Sequence, residues 1–298
     1  MKKFYLSLLG AMLAMTAGAQ DYYAQNGALL DSTYTVDAAG SRMSKTVSEY
    51  DASGKPTVEY YYGYMSGKEL LSGKSVSEYD AEGRCVKTND YEYQDGDYVL
   101  QGYLEMSEFD AEGRATILTE YGIDDENPAA GIQPSSKTVV KKFNGLNYED
   151  ADLYSWNGSD WELYSTTHYD YNDSGLPVKM TMSISIMGMT ITNTGTMEYD
   201  DHGQILKSES SSSFGVSTTQ EYVNSYDADG NLIKQIIKTM GIETTTFLFW
   251  SKGGSAAINQ VAAQSTAPSV YYDLNGRRLP GKPEKGLYIL NGRKVFVR

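Results

Sequence analysis

The sequence predicts an all-β protein, a long antiparallel meander of repeated hairpins that forms a curved single sheet or a barrel-like, superhelical repeat. The first observation is a turn motif found eight times, an aromatic or apolar residue followed by Asp or Asn, two variable residues and Gly. The second is a set of X-Gly pairs that mostly alternates with the motif. The third is the composition, with twenty-six Tyr against seven Phe. Tyrosine suits a half-buried sheet surface, which a repeated β structure provides.

Each copy of the motif predicts a hairpin turn. An Asp or Asn side chain accepts a backbone N–H two residues on, and Gly adopts the positive φ that closes the turn. The copies begin at Val36, Tyr50, Tyr79, Phe109, Tyr171, Tyr199, Tyr226 and Tyr272. The residues expected to shape the turns are Asp51 and Gly54, Asp80 and Gly83, Asp110 and Gly113, Asp200 and Gly203, and Asp227 and Gly230. Segments such as 57–62 and 75–79 are rich in β-branched and aromatic residues, which is typical of strands.

The X-Gly pairs predict tight two-residue hairpins between the motif turns. They begin at Ser66, Asp95, Asn157, Met187, Phe214, Met240 and Asn291. A two-residue loop at 187–188 places Ile184 opposite Ile191. The same register places Lys238 opposite Glu243 and Tyr93 opposite Tyr98. Such cross-strand pairs contribute about 0.2–1 kcal/mol each.

The interval from Gly113 to Asn157 breaks this rhythm. The segment from Gly122 to Ser136 is polar and rich in Pro and Gly, so it predicts a long loop in place of one tight turn. Phe143, Asn144 and Gly145 are interpreted as a degenerate copy of the motif. A long loop on a rigid scaffold often carries function, although a solvated insertion explains the same composition.

The two ends of the chain predict its cellular location. Residues 1–19 have the basic, apolar and small-residue regions of a secretory signal peptide, with cleavage expected after Ala19. A β-hairpin repeat domain is predicted over 20–250, a Gly, Ala and Ser-rich linker over 251–269, and a β tail over 270–298. Residues 20–269 hold sixteen basic against thirty-seven acidic residues, whereas the tail holds seven against two.

The tail resembles the C-terminal sorting domains of the type IX secretion system. It begins with Tyr272 and Asp273 before Gly276 and Arg277, continues with a Gly-x-Tyr core ending at Tyr288, and closes on a Lys-bearing last strand. The resemblance implies secretion machinery as a partner, with export across the outer membrane and removal or anchoring there. The expected location is secreted or at the outer cell surface, or the periplasm if the tail does not direct sorting.

The body resembles the YD repeats of Rhs-type proteins, which also place a polar residue after Tyr-Asp-x-x-Gly. Here that residue is Lys55, Arg84, Arg114, Gln204 or Asn231. The resemblance implies a spiralling β-sheet repeat. The spacing of most copies, about 27 to 30 residues, includes an inserted X-Gly hairpin, and the number of units is too small to enclose a cargo domain.

Three other classes of protein are disfavoured. No segment after the signal approaches the ~20 apolar residues of a membrane-spanning helix, so none is expected in the mature chain. An outer-membrane barrel is a less favoured geometry because strands such as 87–92 offer lipid no apolar face. The acidic body argues against nucleic acid as a partner.

The ligand-binding candidates are Tyr154, Trp156 and Trp161. A two-residue or a four-residue loop alike leaves these three aromatic side chains on one face of the sheet, where they form a platform able to stack on a sugar ring. A hairpin-stabilising aromatic pair explains the same residues and is the favoured interpretation of them.

No catalytic constellation stands out, and no catalytic residue, cofactor or metal is assigned. His202 lies within a repeat turn and His168 is the only other histidine, while Cys85 is the sole cysteine and is interpreted as a small packed strand residue. Calcium is a weak candidate at Asp227 and Asp229, where no Glu follows at the spacing of a calcium loop.

Two hypotheses of function therefore remain. The favoured one is an exported, non-enzymatic β-repeat protein that mediates adhesion or binds a glycan or surface protein. The alternative is a secreted glycan-active hydrolase using paired carboxylates, such as Glu149, Asp150 and Asp152.

Overall fold

The computed structural model describes residues 23–124, 127–186 and 188–252 and three strands near the C-terminus. The chain divides into two compact units, Met1–Ala256 and Ala257–Arg298. The described part of the first unit is nearly all strand, with one 3₁₀ helix at Pro128–Ala130. Its strands are β1 (Ala24–Gln25), β2 (Ala28–Asp37), β3 (Arg42–Tyr50), β4 (Pro56–Met65), β5 (Lys68–Tyr79), β6 (Cys85–Gln94), β7 (Asp97–Phe109), β8 (Ala115–Ile123), β9 (Ile132–Asn144), β10 (Asn147–Trp156), β11 (Trp161–Tyr171), β12 (Pro177–Ile186), β13 (Met189–Tyr199), β14 (Ile205–Ser212), β15 (Ser217–Tyr226), β16 (Leu232–Thr239) and β17 (Ile242–Lys252).

Strands β2 to β17 form a closed antiparallel barrel of sixteen strands. Each strand pairs with its neighbours in the chain, and β17 pairs back onto β2, where Thr246 lies opposite Thr35. The β9–β10 hairpin completes the ring, and β1 is an extra strand beside β2. Closure removes the exposed edges that an open sheet of this length leaves unpaired. The all-β meander is confirmed, and of the geometries left open by the sequence it takes the closed one.

Three hairpins have the register that the sequence predicts. Ile184 lies opposite Ile191 in the hairpin that joins β12 to β13. Lys238 lies opposite Glu243, and Tyr93 lies opposite Tyr98. These pairings are confirmed, because the side-chain period of a strand fixes register once the turn length is known.

The two faces of the sheet differ in side-chain size and charge. Directly opposed residues share a face, and one face holds most of the buried side chains and many Ser, Thr and Gly residues. We assign it to the inside of the barrel, because closure crowds the concave side. Its buried members are Leu30, Thr33, Ser48, Leu118, Ser136, Val140, Ala151, Ser165, Tyr169, Met182, Ile184, Tyr222, Leu232 and Leu248. The outer face carries Lys, Glu and most of the remaining tyrosines.

The motif turns have one repeated hydrogen-bond pattern. At Asp51 the backbone carbonyl accepts Gly54 N–H at 3.0 Å. The carboxylate oxygen Oδ1 accepts the N–H groups of Ser53 and Lys55 at 2.8 and 2.9 Å. Gly54 has φ +83°, a left-handed conformation that glycine adopts without steric cost. In the other motif turns the side-chain oxygen of the first Asp or Asn likewise accepts the N–H group four residues on. These residues are Asp37, Asp80, Asp110, Asn172, Asp200 and Asp227.

Successive loops lie at opposite ends of the barrel, and most motif turns therefore lie at the same end. This end, the motif rim, consists of loops at 26–27, 51–54, 80–83, 110–113, 145–146, 172–175, 200–203 and 227–230. The first copy of the motif, at Asp37, connects β2 to β3 and therefore lies at the opposite end, the hairpin rim. No X-Gly turn separates the first two copies, so the alternation places them at opposite ends.

Side chains that follow the motif glycine connect neighbouring turns of the motif rim. Lys55 Nζ donates to the Gly83 carbonyl at 2.9 Å, and Arg114 Nη1 donates to the Gly145 carbonyl at 2.7 Å. The Arg84 guanidinium lies 4.3 Å from the centroid of the Phe109 ring. The polar residue after the glycine thus has a structural role that its sequence position did not reveal.

Three predicted loops differ from their expected lengths, and one of them, at Asn157, has four residues in place of two. The long loop is shorter than the predicted segment, because β8 runs to Ile123 and β9 begins at Ile132. The pair at Phe214 is not a two-residue hairpin. There Gly215 N–H donates to the Ser212 carbonyl and Ser212 N–H donates to the Val216 carbonyl, both at 2.8 Å, which is the backbone pattern of the motif turn. A serine hydroxyl at the first position can cap such a turn as Asp does.

The second unit contains a three-stranded antiparallel sheet. Its strands are β18 (Tyr271–Tyr272), β19 (Gly286–Leu290) and β20 (Arg293–Val297). The predicted signal peptide and most of the predicted linker lie outside the described residues.

Candidate functional site

Lysine side chains lie over aromatic rings on much of the outer face. The Lys87 ammonium is 3.9 Å from the Tyr103 ring centroid, and the Lys74 ammonium is 4.1 Å from that of Tyr98. Contacts of this kind are worth about 0.5–1 kcal/mol at exposed positions. They add a weak attraction between lysine and aromatic side chains of nearby strands.

The three predicted platform residues lie at the hairpin-rim end of β10 and β11. Trp156 lies directly opposite Trp161, and their ring centroids are 5.1 Å apart at an interplanar angle of 62°. The Lys137 ammonium on β9 lies 4.6 Å from the Trp161 centroid and 5.2 Å from that of Tyr154. The structure therefore brings all three aromatic side chains to one surface and adds a lysine that the sequence had not indicated.

The loop beside the platform is held by its own polar groups. Its four residues, 157–160, connect β10 to β11. Asn157 Oδ1 accepts the N–H groups of Ser159 and Asp160, each at 2.9 Å, and Asp160 Oδ1 accepts Trp161 N–H at 2.8 Å. These hydrogen bonds hold the backbone of the hairpin in one turn conformation, in which Trp156 and Trp161 lie directly opposite each other.

The carboxylates named in the hydrolase hypothesis lie near the other end of the same strands. Asp152 forms an ion pair with Lys141 at 3.0 Å, and Glu149 pairs with Lys142. Asp150 Oδ1 lies 2.6 Å from His168 Nδ1. Each carboxylate thus has a separate cationic or imidazole partner.

A cavity of about 400 Å³ on the inner face was not indicated by the sequence. Tyr61, Gly73, Ser75, Asp90 and Glu92 are among its lining residues. Desolvation raises the pKa of Asp90, although a hydrogen bond from Ser75 opposes the shift. The cavity residues come from four strands, β4 to β7, and only the pairing register places them together.

The other residues considered as candidates, His202, Cys85 and Asp227, take part in contacts that support the fold. The His202 ring stacks on Tyr226 with centroids 4.0 Å apart. Burial raises the pKa of the Cys85 thiol, which favours the less reactive protonated form. Asp227 accepts three hydrogen bonds within its own turn, from Asp229 N–H, Asn231 N–H and Asn231 Nδ2, each at 2.9 Å.

The described part of the first unit is thus a closed sixteen-stranded antiparallel barrel whose outer face carries aromatic, basic and acidic side chains. No protein-family model matches the sequence. No curated protein matches it either. The part of the chain that the structure describes has no helix with the length and apolar character to cross a bilayer.

Several solved structures match part of this chain. A porin-like protein from Bacteroides uniformis is 12% identical, with 74% of this chain and 98% of that chain covered and a TM-score of 0.42. A porin-like protein from Bacteroides vulgatus is 8% identical over the same shares, with a TM-score of 0.37. A protein of unknown function from Bacteroides fragilis is 15% identical, covering 41% of this chain and 89% of that chain, with a TM-score of 0.33.

Proposed function

We propose that this protein is an exported, non-enzymatic β-barrel that binds glycans at or beyond the cell surface through the platform of Tyr154, Trp156 and Trp161. The observation that carries the proposal is the fixed, half-buried tryptophan pair on the outer face with Lys137 beside it. Aromatic faces stack on the apolar face of a sugar ring, and the hairpin hydrogen bonds remove the cost of ordering them on binding.

The charged side chains of the outer face favour contact with water over contact with lipid. Lys74, Lys87, Lys207 and Glu221 lie on its strands. A lysine facing the middle of a bilayer costs a membrane barrel about 2–4 kcal/mol. The proposed site is therefore accessible to a soluble or surface-bound glycan.

Lysine placement also indicates which glycans fit best. Lys137 lies over two rings of the platform, so an acidic sugar can stack beside an ammonium group. We expect glycans that carry uronate or sialate carboxylates to bind more tightly than neutral ones.

A glycan array probed with the full chain and with Trp156→Ala and Trp161→Ala tests the proposal. Both substitutions are expected to lower binding at least tenfold, since aromatic anchors dominate such interfaces. Tyr93→Ala is the matched control, because Tyr93 and Tyr98 form an aromatic pair beside another hairpin of the same rim, with centroids 5.1 Å apart. Equal binding by all three variants, or no binding by any form, contradicts the proposal.

A further inference from the structure

His168 lies at the centre of a group of carboxylates on the outer face, close to the motif rim. Its partner across β10 and β11 is Asp150, directly opposite in register. Pairing of β10 with β9 is irregular on both sides of Asp150, and Glu149 is the residue skipped by the ladder. A bulge of this kind re-aims a side chain. Glu149 and Asp150, adjacent in sequence, can therefore both approach the imidazole.

The ligand atoms of this group lie near, but somewhat farther apart than, the spacing of a formed metal site. One ligand atom each from Glu149, Asp150 and His168 lies within 4.8 Å of the others. Zn²⁺ holds nitrogen and oxygen ligands at about 2.0–2.2 Å, which separates the ligand atoms by about 3–4 Å. Small side-chain rotations are enough to complete such a site. His168 and Asp150 remain reachable from solvent, with 45% and 41% of their side-chain surface exposed.

A further carboxylate orients the imidazole. His168 Nε2 lies 3.3 Å from Asp170 Oδ1, and Nδ1 lies 2.6 Å from Asp150 Oδ1. In the metal-free protein Nδ1–H donates to Asp150 Oδ1, and a metal ion that replaces this proton leaves Nε2–H donating to Asp170. Metal-bound histidines in proteins generally have such a carboxylate on their second nitrogen, where it fixes the tautomer and raises ligand basicity.

We propose that Glu149, Asp150 and His168 bind a divalent metal ion of the zinc class, with Asp170 as the positioning residue for His168. The metal takes the place between Nδ1 and the Asp150 carboxylate, and Lys142 moves away from Glu149. An imidazole nitrogen with two carboxylates suits Zn²⁺, Co²⁺ or Ni²⁺, whereas Ca²⁺ takes oxygen ligands. The inference is independent of glycan binding, because it uses none of the platform side chains.

Isothermal titration of the full chain with Zn²⁺, followed by Co²⁺ absorption spectroscopy, tests this site. One equivalent of Zn²⁺ is expected to bind, and His168→Ala is expected to weaken that binding at least tenfold. His202→Ala is the matched control, since His202 is the other histidine of the chain and stacks on Tyr226. Equal affinity in the original chain and His168→Ala, or no binding by either, overturns the proposal.

Two further variants separate ligation from folding. Asp170→Asn keeps the shape of the side chain and is expected to lower zinc affinity about 10- to 100-fold, as removal of such partners does elsewhere. Lys142→Met removes the cation that competes at Glu149 and is expected to raise the affinity. Circular dichroism identifies any variant that has lost the barrel. Folded variants of both kinds with unchanged zinc affinity contradict the assignment.

Discussion

At the residue scale, the acidic first residue of the motif turn links the stability of this protein to pH. Side-chain and backbone hydrogen bonds from Asn231 hold the pKa of Asp227 below its usual value. The pKa values of Asp51, Asp80 and Asp110 are also lowered; backbone donation from Lys55 is the main cause at Asp51, and Arg84 and Arg114 overcome desolvation at the other two. A carboxyl whose folded pKa is depressed stabilises the fold above its unfolded pKa, near 3.9, and loses that contribution as pH falls through the folded value.

We therefore predict that the barrel loses thermal stability as the pH falls below about 4. Asp227→Asn keeps an oxygen acceptor, as Asn172 does in its own turn, and is expected to reduce the acid-dependent loss. Asp227→Ala removes the acceptor and is expected to lower the Tm at pH 7 as well. Melting curves at pH 7 and pH 3 measure both effects. An identical pH dependence in the Asn variant contradicts the prediction.

Residue types were enough to predict the hydrogen bonds within each turn but not the contacts between neighbouring turns. Asp at the first position and Gly at the fourth follow from local backbone geometry alone. The contacts of Lys55 with Gly83 and of His202 with Tyr226 join residues more than twenty positions apart, so no local pattern contains them.

At the element scale, glycines within strands have different reasons to be there. A Cβ at Gly73 would lie 2.2 Å from the Tyr91 carbonyl oxygen, whereas a Cβ at Gly63 would meet nothing within 4 Å. Gly73 adjoins the irregular register between β4 and β5, where the backbone of β6 approaches closely. Only one of these two glycines is therefore required by its neighbours.

We predict that Gly73→Ala destabilises the barrel by about 1–3 kcal/mol, because a backbone carbonyl must move to admit the methyl group. Gly63→Ala, the matched control, is expected to be neutral or to stabilise by up to about 1 kcal/mol, since it restricts the unfolded chain. Urea unfolding measures both. Equal effects of the two substitutions would show that the close approach at Gly73 does not limit stability.

The sequence was sufficient to predict the strand register in tight hairpins, but it was not sufficient to predict the β-bulges. Alternation of side chains predicts Ile184 opposite Ile191, because a slip of one residue would expose the buried set. The irregularity at Glu149 inserts one residue within a polar stretch of the strand, where no apolar alternation marks its position in the sequence. The histidine and carboxylate group therefore had no recognisable spacing in the sequence.

At the scale of the whole molecule, the seam between β2 and β17 decides the architecture. It joins residues near opposite ends of the barrel domain, with Thr35 and Thr246 side-chain oxygens 3.0 Å apart. Tyr34 stacks on Phe247 beside them, with ring centroids 4.8 Å apart. An open or spiral sheet would leave both strands as edges.

A disulfide across this seam tests closure directly. In a Cys85→Ser background, Thr35→Cys with Thr246→Cys is expected to oxidise readily and to stabilise the barrel by about 2–4 kcal/mol, because the crosslink closes a long loop of the unfolded chain. Thr35→Cys with Thr192→Cys is the control, since Thr192 lies on β13 and pairs with β12. Free-thiol titration and mass spectrometry measure the crosslink. Failure of the seam pair to crosslink in the folded protein contradicts a closed barrel.

The sequence by itself determined the all-β class, the positions of most turns, the register of the tight hairpins and the common face of Tyr154, Trp156 and Trp161. These properties depend on local backbone geometry and on the period of two in a strand. Tertiary structure alone decided that the sheet closes, which face is enclosed, and that Asp150, His168 and Asp170 meet beside a bulge. The physical reason is that closure and bulges depend on accumulated twist and on pairing between distant strands, which no window of neighbouring residues records.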